Sequence, residues 1–170
     1  MIAVVATGTK NGDLGARRER LIEKTIGVCI DELKLDRFRA VIHVKQTRSK
    51  KHMDGWAVGY ATMDRVDTDD GRLWWGIIEL CNAHPKDLVK TICHEMVHIK
   101  QYLRKELSMD GIVWKGEDLS NTPYNDQPCE IEAYDLQEKL YAKCVDLKVC
   151  LLYTSPSPRD LSTSRMPSSA

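Results

Sequence analysis

Apolar side chains return every three or four positions in three stretches of the chain: Leu14 to Leu35, Pro85 to about Leu107, and Pro128 to about Leu147. This period matches the helical turn of about 3.6 residues, so each stretch predicts an amphipathic helix. Pro85 and Pro128 mark helix starts, because proline at the first helical position loses no hydrogen bond that the helix would have made.

Between the first two predicted helices, short runs of β-branched and aromatic residues alternate with loops rich in Lys, Asp and Gly. The runs Val41–Val44, Trp56–Tyr60 and Leu73–Leu80 predict a meander of strands, and the segment from Asp64 to Gly71 carries turn signals. Ile112–Trp114 adds a brief extended piece. The pattern therefore predicts an α+β fold with an N-terminal helix, a small, mainly antiparallel sheet of three to four strands, and two further helices.

Composition narrows the class of protein. The 170 residues suit one domain, and the hydrophobic share of 42% and charged share of 29% are those of a globular chain. The formal net charge is +0, so the chain lacks the excess of basic residues that is typical of nucleic-acid-binding proteins. No run approaches the roughly 18 to 20 apolar residues of a membrane span. The apolar stretch between Met1 and Lys10 is shorter than the apolar region of a secretory signal. We therefore expect a cytoplasmic protein.

The end of the chain differs from the rest. The run from Cys150 to Asp160 resembles one translated reading frame of a transposon-type sequencing-library adapter, and Ser164 to Ala170 resembles the flow-cell tail that follows it. We expect residues 1–149 to form the domain and residues 150–170 to be a non-native, disordered tail. A natural Ser- and Pro-rich disordered tail is the alternative that composition alone supports. The cysteines of residues 1–149 show no paired spacing, which suits a reducing compartment.

The run His94-Glu95-Met96-Val97-His98 carries the candidate chemistry. Two residues four apart on a helix lie about 400° around its axis and about 6 Å along it, so both histidines project from one side. Two neutral imidazoles suit zinc and leave positions for a third ligand and a water. Glu95, offset by about 60 to 100°, can reach that water as a general base. The opposite side carries an apolar stripe that would be buried: Leu88, Ile92, Met96, Ile99 and Leu103.

A third metal ligand has to come from elsewhere in the chain. Glu130, in the first turn of the last predicted helix, is the first candidate, and Glu132 is its competitor. They lie about 200° apart around the helix, so only one can face the metal. Either carboxylate can instead interact with the helix dipole, a common surface role. Cys93 and Cys129 adjoin the site in sequence but lie off the ligand face, where packing as small apolar residues is expected.

With these residues in place, the chain resembles the small gluzincin-type metallopeptidases, close to the SprT-like and phage-encoded zincins. The similarity covers Leu14 to Leu147 and is specific at the last two helices. It implies a zincin-like fold in which a Glu-x-x-Ala pattern on the last helix supplies a zinc ligand, which fits Glu130 to Ala133. The tryptophan expected just before the ligand glutamate is Cys129 here.

The resemblance and the motif together predict one zinc ion held by His94, His98 and Glu130, with Glu95 activating the metal-bound water for hydrolysis of a peptide or protein substrate. A second group usually donates a hydrogen bond to the negatively charged oxygen that forms when water attacks the peptide carbonyl. The sequence offers three candidates for this role and does not rank them: Tyr124, Tyr134 and His84. We expect the strand Leu73–Leu80 to lie beside the cleft as a free edge for an extended peptide.

Two other classes of function stay open. A zincin-like protein can be a binding or regulatory protein with a structural zinc and no proteolysis, although such zinc sites usually have four protein ligands. The SprT resemblance also suggests a nucleic-acid-linked protease that uses a basic loop made of Arg48, Lys50, Lys51 and His52. A solvated hairpin loop explains these residues better, so a nucleic-acid partner is not favoured.

Overall fold

A computed structural model of the protein describes residues 1–7, 12–47, 59–81 and 84–149. These residues confirm an α+β fold, with three α-helices, a mixed four-stranded sheet and a small antiparallel sheet of two strands. In chain order the elements are β1 Ile2–Thr7, α1 Gly12–Glu32, β2 Ala40–Thr47, β3 Gly59–Thr68, β4 Gly71–Cys81, α2 Pro85–Leu103, β5 Val113–Trp114, β6 Glu117–Asp118 and α3 Pro128–Asp146. Among the described helices, none has the length and apolar character needed to cross a membrane.

The strand order in the main sheet is β1-β2-β4-β3. β2 runs parallel to both β1 and β4, and only β3 and β4 pair antiparallel. The expectation of a mainly antiparallel meander is therefore wrong. Two features explain the difference: the short strand β1 was not predicted and joins β2 through the helix α1, as parallel neighbours require, and β4 lies between β2 and β3.

β3 extends further towards the C-terminus than the sequence indicated. The prediction covered Trp56–Tyr60, of which residues 56–58 lie outside the described part, whereas the strand continues to Thr68 through the segment expected to be a loop. Its second half is exposed, because β3 pairs only with β4 among the described residues. Charged side chains can therefore occupy this half without a desolvation cost. The chain then turns between Thr68 and Gly71, where Gly71 has a φ of 98°.

Alternating residues of the sheet and the apolar stripes of α1 and α2 form one core. The predicted stripe of α2 is confirmed as buried, at 0–3% exposure: Leu88, Ile92, Met96, Ile99 and Leu103. Gly76 of β4 permits the close packing of helix on sheet, since a Cβ there would lie 3.2 Å from Cδ1 of Ile99 and 3.3 Å from Cε of Met63. This packing places α2 directly against the sheet.

α2 ends at Leu103, one turn before the predicted end near Leu107. Arg104 caps the helix and Lys105 adopts a left-handed conformation, with a φ of 58°, which turns the chain away from the helix axis. The following segment, which includes β5 and β6, leads to α3, and α3 packs against α2. This arrangement brings the first turn of α3 opposite the middle of α2.

Candidate metal centre

The two histidines of the motif occupy neighbouring turns of α2, on the side opposite its buried stripe. Nε2 of His94 and Nε2 of His98 lie 3.2 Å apart, and each residue is 8% exposed. The helix start that fixes this register is defined by Pro85 at its first position and by His84, whose Nδ1 accepts a hydrogen bond from the backbone N–H of Lys86 at 3.4 Å. The predicted geometry of one turn between the histidines is present.

Glu130 reaches the same point from α3. Its Oε2 lies 3.3 Å from Nε2 of His94, and its Oε1 lies 3.3 Å from Nε2 of His98. Pro128 begins the helix and so places Glu130 in its first turn. Among the described residues, His94, His98 and Glu130 form the group whose ligand atoms lie close enough to hold one metal ion, within 4.8 Å of one another.

The spacing of these atoms fits a small tetrahedral cation. Metal–nitrogen distances of about 2.0 to 2.1 Å at tetrahedral angles separate two ligand atoms by about 3.3 Å. The two histidine nitrogens are 3.2 Å apart, and each lies 3.3 Å from a different oxygen of the Glu130 carboxylate. In addition, Oε2 of Glu130 is buried and has no hydrogen bond of acceptable geometry in the described structure. Buried carboxylate oxygens rarely lack a partner, so this atom fits the role of a metal ligand.

The Glu130 carboxyl is in the charge state that metal binding needs. Burial opposes its ionisation, but the adjacent imidazoles of His94 and His98 outweigh this effect and lower the pKa of the carboxyl to about 2. Burial alone would lower the pKa of His98, and the hydrogen bond to Glu130 outweighs this effect, so the net shift is upward. Glu130 is therefore an anion throughout the physiological range, as a ligand must be.

Glu95 lies beside the three ligand candidates but is not one of them. It is 5% exposed, and burial raises its pKa to about 7 against the opposing influence of His98 and His94. The backbone of Gly59, at the start of β3, approaches it closely: a Cβ on Gly59 would lie 2.6 Å from Oε1 of Glu95. The carboxyl is therefore held between α2 and the sheet.

The group opens into a cleft of about 640 Å³. Tyrosines dominate its walls: Tyr60, Tyr102, Tyr124 and Tyr134. Two of the three side chains considered as oxyanion donors are among them. The ring of Tyr134 lies 4.7 Å from the ring of His94, and the Tyr124 hydroxyl donates a hydrogen bond to the Glu130 carboxylate. His84 is not among the residues that line the cleft.

The strand beside the cleft is β3, not β4. Gly59, Tyr60 and Ala61 of β3 line the cavity, and β3 is the last strand of the described sheet. The expectation that Leu73–Leu80 would offer a free edge is wrong, because β4 is hydrogen-bonded to β2 on one side and to β3 on the other. A strand with two neighbours has no backbone groups left for a peptide.

The competing candidates lie outside the ligand group. Glu132 is 2.8 Å from Nζ of Lys100, in an ion pair between α3 and α2. Cys93 lies with its Sγ 3.9 Å from Sγ of Cys29 in the core, and Sγ of Cys129 donates to the Gln127 side chain at 3.7 Å. The two cysteines therefore take part in packing, and Glu132 connects α3 to α2.

Sequence reasoning missed Gln101, which is fully buried and lies 2.9 Å from Nδ1 of His98. A signal was available, because a residue three positions after His98 lies on the same side of the helix. The predicted basic loop, Arg48 to His52, and the tail, 150–170, both lie outside the described residues.

Comparison of the chain with protein-family models, with curated proteins and with solved structures finds no match. The resemblance to gluzincins therefore rests on the motif residues themselves.

Proposed function

We propose that this protein is a zinc-dependent hydrolase of peptide bonds, with a zincin-like fold of gluzincin type. The observation that carries the proposal is the convergence of His94, His98 and Glu130, whose ligand atoms lie within 4.8 Å of one another and line a cleft. A buried glutamate, Glu95, lies next to them. Three protein ligands and access from a cleft are typical of catalytic zinc, whereas structural zinc usually has four protein ligands.

Zinc, when bound, lowers the pKa of a coordinated water towards about 7 and polarises a carbonyl oxygen. The chain itself supplies the proton transfer. Glu95 would accept a proton from the attacking water at its carboxylate and return it to the departing amine. The Tyr124 hydroxyl and the Tyr134 side chain lie at the cleft, where they can stabilise charge on the substrate.

The substrate is proposed to bind along the edge of β3. Gly59, Tyr60 and Ala61 line the cleft beside Glu95, and within the described sheet this strand pairs on one side only. An extended peptide can therefore add to β3 through main-chain hydrogen bonds. These bonds do not depend on the amino-acid sequence of the peptide. The tyrosine-rich walls favour apolar or aromatic side chains in the substrate.

Zinc content and cleavage test the proposal together. Elemental analysis of the purified protein should show one zinc per chain, and casein or a peptide library should be cleaved until a chelator is added. Glu95→Gln should keep the zinc and abolish cleavage, because the ligand group remains intact. Glu138→Gln is the matched control, since Glu138 is exposed on α3 and pairs with Lys90 away from the cleft.

His94→Ala should lose zinc and stability together, because the metal is bound only by the folded chain. Stoichiometric zinc without any Glu95-dependent cleavage would reject the hydrolase and favour a binding or regulatory role with structural zinc.

A further inference from the structure

Gln101 is a buried polar side chain with 0% exposure, and both ends of its amide are hydrogen-bonded. Its Nε2 lies 2.9 Å from the carbonyl oxygen of Cys129 and 2.9 Å from Oε2 of Glu132. Both partners are acceptors, so this end of the amide must be the donor. The other end, Oε1, is therefore the acceptor, and it lies 2.9 Å from Nδ1 of His98.

This orientation fixes the proton of His98. An amide oxygen can only accept, so Nδ1 of His98 must carry the hydrogen of that bond. In the neutral imidazole the other nitrogen, Nε2, then has its lone pair free, and Nε2 is the atom that faces His94 and Glu130. Gln101 thus selects the tautomer in which His98 can bind a metal.

Gln101 also connects the two helices that supply the ligands. It belongs to α2, and its bond to the Cys129 carbonyl holds the residue directly before Glu130 on α3. His94 has no equivalent support, since its Nδ1 is buried without a hydrogen-bond partner in the described structure. Gln101 therefore supports one histidine of the group and the helix that carries Glu130, while His94 lacks such support.

We propose that Gln101 is a positioning residue that assembles the ligand group before the metal binds, by fixing the tautomer of His98 and the distance between the His98 and Glu130 positions. The inference rests on the proposed function only in that His94, His98 and Glu130 bind zinc. It does not require that the protein cleaves peptides.

The test replaces Gln101 with methionine, which has a similar length and no hydrogen bonds to offer. We expect Gln101→Met to bind zinc about 10 to 100 times more weakly than the wild type, measured on the full chain by competition with a chromogenic chelator. The circular dichroism spectrum should be unchanged. A second readout is the Nδ1 proton of His98 in the zinc-loaded protein, whose downfield NMR signal should move upfield or disappear in the variant.

Glu132→Gln is the matched control. It keeps an oxygen that accepts from Gln101 and does not touch His98, but it weakens the ion pair with Lys100. We expect its zinc affinity to stay within about threefold of the wild type, because Lys100 keeps its ion pair with Glu106 at 2.7 Å and the Gln101–His98 bond is untouched. Wild-type affinity in Gln101→Met, or an equal loss in both variants, would overturn the proposal.

If Gln101→Met fails to fold, a measurement on the wild-type protein alone tests the proposed tautomer of His98. In metal-free protein at alkaline pH, where His98 is neutral, its ring nitrogen shifts should place the proton on Nδ1. A proton on Nε2 would contradict the assignment. Wild-type protein that binds zinc but cleaves nothing would reject the hydrolase, while the affinities of the two variants would still decide the role of Gln101.

Discussion

Replacing Glu95 by glutamine should stabilise the metal-free protein, and increasingly so as the pH rises. Glu95 is 5% exposed, and the backbone of Gly59 lies against its carboxyl. Burial makes the ionised form costly, and without a bound cation only the neighbouring histidines offset this cost. Glutamine has nearly the same shape and cannot ionise, so the variant removes this cost and little else.

The magnitude follows from the pKa of Glu95, which rises from 4.5 to about 7 on folding. Each pKa unit corresponds to about 1.4 kcal/mol, so the full effect is about 3 kcal/mol. A raised pKa means that the folded state binds the proton more tightly than the unfolded state does. The contribution of Glu95 to the stability of the wild type is therefore greatest below pH 4.5 and is lost as the pH rises through about 7, where the advantage of the variant becomes largest.

Urea denaturation in the presence of a chelator, at pH values from 5 to 8.5, measures this difference in the free energy of unfolding. Glu138→Gln is again the control, because Glu138 is exposed and its paired carboxyl has a lowered pKa. Its difference from the wild type should stay constant above pH 5. A constant difference for Glu95→Gln over the same range would refute the conclusion that burial of an ionised Glu95 destabilises the apoprotein.

Three further substitutions test other parts of the structure. Gly59→Ala should lower kcat while zinc content by elemental analysis is retained, because its Cβ would collide with Thr91 and with the carboxyl of Glu95; Gly27→Ala, with open space at its Cβ, should leave kcat unchanged. Met96→Ala, in the fully buried stripe of α2, should reduce the free energy of unfolding by about 2 to 5 kcal/mol in urea denaturation. Glu130→Gln should weaken zinc binding in a chelator competition assay, because the site loses its anionic ligand, and an unchanged affinity would exclude Glu130 as a ligand.

The features that the sequence predicted well are local ones. Helix periodicity located α2 and α3 to within a few residues, and the spacing of His94 and His98 placed both side chains on one face. The end of α2 was harder, because Lys105 turns the chain through a left-handed conformation that no glycine signals. A helix is specified by neighbours in sequence, and so are the ligands that it carries.

The sheet could not be ordered from local pattern, because its pairings join distant segments. β1 contributes only six residues, and its partner β2 follows a long helix. One signal does distinguish the two strands of the hairpin: the run Leu73–Leu80 of β4 is almost continuously apolar, as in strands with neighbours on both sides, while Asp64, Arg65 and Asp67 of β3 are typical of an edge. Weighing charge along each strand would have placed β3 at the edge of the sheet.

The choice between Glu130 and Glu132 depends on how α3 lies against α2, which periodicity cannot supply. The structure assigns the two carboxylates different partners: Glu130 faces the histidines, and Glu132 faces Lys100 and Gln101. Lys100 is only 4% exposed, and two carboxylates compensate its buried charge, Glu106 at 2.7 Å and Glu132 at 2.8 Å. Which glutamate of α3 faces the metal position therefore depends on the rotation of α3 about its axis, and contacts between segments distant in sequence set that rotation.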